Sequence, residues 1–181
     1  MTEQTEALFL GGRAGVGKSS VGYEVHEQLS AAGLRHCLIE GDNLDMAYPQ
    51  PWEHHLAERN LAAMWANYRA IGYRRMIYMN TASVLEQVIG ELTAAMGDSP
   101  QVTGVLLTCS DATARQRLAQ REIGSALDWH VERSAQMARR LDRHTPAWVH
   151  RVCTDARGVA DIASQVISLT GWTRQGPPQR A

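Results

Sequence analysis

The sequence predicts a three-layer α/β fold, a five-stranded parallel sheet with helices on both faces. Two observations predict it. Apolar runs of strand length alternate with helically spaced stretches along the chain, the pattern of a parallel sheet joined by crossover helices. A glycine-rich loop lies between the first apolar run and the first helix, where a doubly wound sheet places its ligand loop. At 181 residues and 44% hydrophobic content, the chain is sized for one domain over 1–181.

The elements follow in order. Residues 6–11 are a short apolar strand running into glycines, and 17–32 a helix closed by Gly33. Residues 35–39 are a second strand, closed by Glu40-Gly41-Asp42, and the Pro-containing stretch 48–52 is a loop. Leu61, Met64, Trp65 and Tyr68 recur at helical spacing and predict a helix over 55–72. A third strand at 75–79 and a helix at 83–96 lead to a turn at 97–100. Residues 102–108 are the clearest buried strand, followed by a helix over 111–121 with Asp111 in its N-cap region. A helix at 128–143, a fifth strand at 148–153 and a closing helix at 158–169 complete the pattern. The polar tail 173–181, with two prolines, is expected to be disordered.

Gly12-Arg13-Ala14-Gly15-Val16-Gly17-Lys18-Ser19 fits the phosphate-loop (Walker A) pattern G-x-x-x-x-G-K-[ST] at each fixed position. Gly12, Gly15 and Gly17 let successive backbone N–H groups turn inward toward phosphate oxygens. The following helix, from Ser19 and Ser20 onward, adds its unpaired N–H groups and positive dipole end. Lys18 is the chain's only lysine; the other 17 of its 18 basic residues are arginines. A compact ammonium suits the outer phosphates, and the Ser19 hydroxyl suits a magnesium ion. The cofactors expected are therefore ATP and Mg2+.

The loop alone leaves the reaction open. With one lysine in the loop, no Asn-Lys-x-Asp guanine motif exists, which disfavours most GTPases. The third strand ends in Tyr78-Met79-Asn80 without a terminal Asp, which disfavours a motor-type ATPase. The second strand ends in Glu40-Gly41-Asp42-Asn43, at the edge that faces the ligand crevice.

At these residues the chain resembles the small-molecule kinases of the P-loop class, nearest the adenylylsulfate kinase, gluconate kinase and chloramphenicol phosphotransferase groups, with shikimate kinase further off. It is also similar to a set of actinobacterial AAA-type ATPases. The resemblance rests on the phosphate loop, Gly41-Asp42 and the arginine helix around Arg117; the middle, 48–96, matches none of these groups. It implies a nucleoside-monophosphate-kinase-like P-loop NTPase fold, with Asp42 beside the acceptor hydroxyl as base and as a magnesium residue acting through water. Glu40 and Asp45 are second candidates, and a turn role for Asp42 stays open. The resemblance further implies that Arg117 stacks on adenine, that Arg121 closes over the phosphates from a lid at 122–127, and that the 154–158 loop with Arg157 borders the base. Capping of the last helix is the alternative for Asp155.

The acceptor side has candidates in Asp42, Asn43, Trp52, Arg59 and Asn80, with His54, His55, Trp129 and His130 behind them. Trp65 and Tyr68 fall on the apolar side of their helix and read as core. The His54-His55 pair lacks the partners of a metal site. Cys37, Cys109 and Cys153 match no zinc or redox spacing and read as buried thiols. A net charge of -1 gives no electrostatic footprint for nucleic acid or a membrane surface, and no apolar run reaches membrane length. A cytoplasmic monomer or homodimer is expected. Two readings follow: an ATP-dependent kinase acting on a small-molecule hydroxyl, or a nucleotide-binding regulatory or hydrolytic ATPase without a small acceptor.

Overall fold

The structure is a computed structural model that describes residues 4–120 and 127–174. Five strands form one all-parallel sheet: β1 (Glu6–Gly11), β2 (Cys37–Glu40), β3 (Arg75–Met79), β4 (Gln101–Thr108) and β5 (His150–Cys153). Their order is β2-β3-β1-β4-β5, with β1 in the centre. The helices are α1 (Lys18–Ala31), α2 (Leu56–Ala70), α3 (Glu86–Met96), α4 (Asp111–Ala119), α5 (Leu127–His144) and α6 (Val159–Thr170). The predicted architecture, a three-layer P-loop NTPase fold, is the one observed.

Period-two alternation along the strands divides the interior into two cores. Leu8, Leu10, Ile77, Met79, Val105 and Leu107 point to one face and pack under α1 and α6. Ala7, Phe9, Ile39, Met76, Tyr78 and Leu106 point to the other, under α2, α3 and α5. Both faces of the central strands are sealed, so β1 reads as a nearly continuous apolar run. Trp65 is buried in the second core and donates its indole N–H to Asp98 at 3.0 Å, as its helical spacing predicts; Tyr68 packs partly buried against the same core.

Boundaries differ from expectation where a turn intervenes. β2 begins at Cys37, because Arg35 and His36 belong to the approach from α1. α3 begins at Glu86, because Asn80 to Leu85 are folded into turns, with Ser83 N donating to Asn80 O and Leu85 N to Ala82 O. β5 begins at His150, because Val149 N closes a turn on Pro146 O. The cysteine reading holds for Cys37 alone, whose burial pushes its pKa up to about 12. Cys109 is half-buried and Cys153 exposed, since β5 is an edge strand with only Val152 buried. Trp172 is buried against α1 and α6, and a 3-10 turn continues through Trp172–Arg174; the rest of the tail lies outside the described residues. Among the described residues no helix is long and apolar enough to cross a membrane.

Candidate active site

The site stands at the carboxyl ends of β1, β2 and β3. β1 ends in Gly11 and the chain turns into the loop 12–17, which delivers α1. Gly12, Gly15 and Gly17 have φ of 146°, 82° and 101°. At Gly15 a Cβ would also meet Ala114 O at 2.8 Å, so glycine is required there by space as well as by conformation. Gly17 is the N-cap of α1 and no side chain caps that end. The first-turn N–H groups of a 14-residue helix are thereby left for a ligand. That uncapped cradle fits a polyphosphate.

The loop is held by long-range contacts. Gly12 N donates to Thr81 O at 3.2 Å. Val16 O accepts from Arg117 Nη1 at 2.9 Å and from Thr154 Oγ1 at 3.1 Å. Ala14 O accepts from Ser134 Oγ at 2.8 Å. Arg13 is a loop residue whose side chain turns inward, only 4% exposed. Its Nε donates to Ser134 Oγ at 2.8 Å and its Nη1 pairs with Asp111 at the start of α4. Arg13 thus meets the cradle through its backbone, and its guanidinium belongs to the scaffold.

Lys18 folds over the loop, with Nζ donating to Arg13 O at 3.4 Å. Ser19 Oγ donates to Glu40 Oε2 at 3.4 Å. The pairing follows from sheet order: β3 lies between β1 and β2, and α1 crosses it, so the first turn of α1 meets the end of β2. The Glu40 pKa is raised, by burial and then by the neighbouring Asp42 carboxylate, with Lys18 and the Ser19 hydrogen bond opposing. Glu40, a second candidate from sequence, therefore sits nearer the Ser19 hydroxyl than the first candidate does.

Asp42 lies in a 3-10 turn over Gly41–Asn43. Its Oδ1 accepts from Asn80 Nδ2 at 2.6 Å, and Asn80 Oδ1 accepts from Ala82 N at 2.9 Å. Two residues selected separately from sequence are therefore neighbours, as adjacent parallel strands ending together require. Asn43 is exposed beside them, and Arg59 is exposed on α2. Trp52 falls in a 3-10 turn over Trp52–His54. His55 precedes α2 with φ 48°, and among the described residues no three His, Cys, Asp or Glu side chains group as a metal site. Trp129 is exposed on α5, edge-on to His130 and under the Arg133 guanidinium.

On the other side of the loop is a cavity of about 240 Å³, lined by Gly15, Gly17, Ser20, Arg117, Thr154 and Arg157 among others. Arg117 Nη1 also donates to Thr154 Oγ1 at 3.0 Å and its Nη2 to Thr154 O at 3.1 Å. These bonds fix the guanidinium plane, so a flat face is left for stacking. Arg157 is held by Cys153 O at 3.1 Å and Gln165 Oε1 at 2.8 Å. Asp155 does not cap α6, whose N-cap is Gly158 without a side-chain bond; it accepts from Ser110 N at 2.9 Å instead. Ser110, not Asp111, is the cap of α4. Arg121 and 122–126 of the expected lid lie outside the described residues.

Sequence reasoning missed Ser134 and Thr154 as loop supports, and Tyr78, whose hydroxyl rests against Gly41. For Tyr78 a signal existed, a hydroxyl in the apolar run that follows Arg75 in β3.

No protein-family model and no curated protein matches the chain. Solved structures do. The adenylylsulfate (APS) kinase of Mycobacterium tuberculosis in complex with AMPPNP and APS is 18% identical, with a TM-score of 0.60 over 92% of this chain and 97% of that one. A gluconokinase from Sinorhizobium meliloti 1021 is 18% identical, TM-score 0.61, over 92% and 91%. The tunicamycin resistance protein of Deinococcus radiodurans is 16% identical, TM-score 0.65, over 93% and 96%. The chain has the fold of the P-loop small-molecule kinases, as the resemblance at the phosphate loop implies.

Proposed function

We propose that this protein is an ATP-dependent phosphotransferase that phosphorylates a hydroxyl of a small molecule, in the cytoplasm. One observation carries the reading: a phosphate cradle meets the Glu40, Asp42 and Asn80 side chains at one end of the sheet. A plain hydrolase needs only to position water. A carboxylate fixed beside the cradle by a neighbouring amide suits an acceptor hydroxyl.

Each residue then has a task. The loop N–H groups and α1 terminus bind the polyphosphate, and Lys18 follows the charge of the transferring group. Ser19 and Glu40, joined by their hydrogen bond, would hold the magnesium ion and Glu40 would add its negative charge there. When bound, Mg-ATP supplies the phosphoryl group and the charge neutralisation. Asp42, whose Oδ1 is taken by Asn80, uses Oδ2 to orient the acceptor hydroxyl and receive its proton late in transfer. Arg117 and Arg157 flank the adenine in the adjacent cavity, and Arg121 supplies the closing charge. Asn43, Arg59 and Trp52 border the acceptor.

The test is release of ADP across a panel of hydroxylated metabolites and antibiotics. Stimulation by one compound well above the water background, with phosphate recovered on that compound, supports the reading. ADP release that no compound changes supports a hydrolytic or regulatory ATPase.

A further inference from the structure

Another cavity, of about 330 Å³, lies at the opposite end of the sheet from the phosphate loop. Cys37 and Leu38, which line it, open β2, and Tyr73 stands just before β3. In a parallel sheet these strand starts face away from the carboxyl ends that carry the candidate active site. Tyr23 and His26 line the cavity from α1, and Tyr68 from the end of α2. Three of the chain's five tyrosines and two of its seven histidines thus meet at one place, in a chain with only 6% aromatic residues. Aromatic rings with polar tips, around a space of this size, are the lining of a small-molecule pocket.

Two hydrogen bonds fix the polarity of the histidines. His36 is only 7% exposed, and its Nδ1 lies 2.7 Å from Leu34 O. A carbonyl only accepts, so Nδ1 carries the proton. Burial, the largest cause, lowers the His36 pKa; His26 and Arg75 act the same way, and the Leu34 bond opposes. The ring is therefore neutral at neutral pH, and its Nε2 is an acceptor. His26 Nδ1 donates to that Nε2 at 2.9 Å. The neutral His26 ring is left with its acceptor at Nε2, on a residue that lines the cavity.

Charge narrows the ligand further. Burial pushes the Cys37 pKa up to about 12, so the thiol stays protonated. The lining therefore holds no carboxylate, thiolate or guanidinium. Arg35 Cζ lies 5.8 Å from the centroid of the Tyr73 ring, and Arg75 acts on His36. Two cations beside these rings disfavour an ammonium ligand, which three tyrosines would otherwise suit. The His26 lone pair in turn repels an anion and asks for a donor.

We propose that this cavity binds an uncharged one- or two-ring aromatic molecule bearing a ring N–H or a hydroxyl, with that donor on His26 Nε2 and the ring among Tyr23, Tyr68 and Tyr73. The site is separate from the nucleotide cavity and does not rest on the phosphotransferase reading.

The test titrates the full chain, labelled with nitrogen-15, by backbone amide NMR. Two probes are isomers of equal size, 3-methylindole, which keeps its N–H, and 1-methylindole, which lacks it. Phenyltrimethylammonium and indole-3-carboxylate supply the cation and the anion. 3-Methylindole should bind about fivefold tighter than 1-methylindole, the worth of one hydrogen bond, and tighter than either charged probe. The amides of Tyr23, His26, Cys37 and Tyr73 should shift while those of Gly15 to Ser19 stay. His26→Phe keeps a ring and removes the acceptor, so it should abolish the preference between the isomers. Because it also strands His36 Nε2, a second variant, Tyr68→Leu, leaves the histidine pair intact and should weaken both isomers alike, by about threefold or more. No binding, equal binding of the isomers by wild type, tightest binding of a charged probe, or shifts centred on the phosphate loop overturns the proposal. So does a preference that survives His26→Phe, or wild-type affinity in Tyr68→Leu.

Discussion

Lys18 is the sole lysine in a chain that uses arginine everywhere else, and the structure folds its ammonium over the phosphate loop. Lys18→Ala should lower turnover at least a thousandfold, since a phosphate clamp is worth several kcal/mol in the transition state. A rate within tenfold of wild type ends that assignment. Two carboxylates nearby divide the remaining work. On its proposed role as the acceptor's base, Asp42→Asn should lower turnover on the order of a hundredfold or more with little loss of ATP affinity. Glu40→Gln should weaken magnesium-dependent ATP binding, because Glu40 touches Ser19. Calorimetry beside turnover distinguishes them; identical profiles for the two variants sink the division. Glu40 also makes the metal-free protein pH-sensitive. Its pKa is raised by burial and by Asp42, so the folded state holds this proton more tightly than the unfolded one. The stability it contributes is fully present below the unfolded value of about 4.3 and is lost as pH rises through the raised folded value. Melting wild type and Glu40→Gln across this range should show a shallower decline in the variant.

At the scale of elements, the phosphate loop was legible because its signal is local: eight residues at fixed spacing between a strand and a helix. The strand-end residues Asp42 and Asn80 were also legible, since strand ends mark the crevice before strand order is known. The contacts that hold the loop were not. Arg13 to Ser134 spans 121 positions and Ser19 to Glu40 spans 21, and no period encodes such partners. An arginine inside a phosphate loop reads naturally as a phosphate ligand, yet its side chain is buried against α5 and Asp111. Ser134 bridges Arg13 Nε and Ala14 O, so it joins the loop to α5. Ser134→Ala leaves both groups without their partner. It should cost about 1–3 kcal/mol, the penalty for stranding a buried polar group, and also weaken ATP binding. If denaturant melts show no change, the serine is dispensable and Arg13 is held by Asp111 alone.

For the molecule as a whole, the question is how far ligand binding and fold stability are separable. The two cores lie on opposite faces of one sheet, and α1 joins both problems in one element. Its N-terminus is the phosphate cradle, and its last turns bury Leu29 in the α1–α6 core. A ligand that binds only the folded state stabilises it by about 2.7 kcal/mol at one hundred times its dissociation constant. For a chain of this length that corresponds to roughly 5–11 °C in Tm. Wild type should show such a shift with the magnesium–ATP analogue, and Lys18→Ala should lose most of it while melting near the wild-type temperature without ligand. Leu29→Ala should do the reverse. The side chain is fully buried, so its loss should cost about 2–5 kcal/mol and lower Tm, while the ligand-induced shift stays. The prediction follows from distance along α1: Leu29 is eleven residues, or about 16 Å of helix rise, from Lys18. Additivity holds for sites so separated. A Leu29→Ala protein that melts low and also fails to respond to the ligand would show that the cradle is set by the packing of the whole helix, not by its first turn and the contacts of the loop.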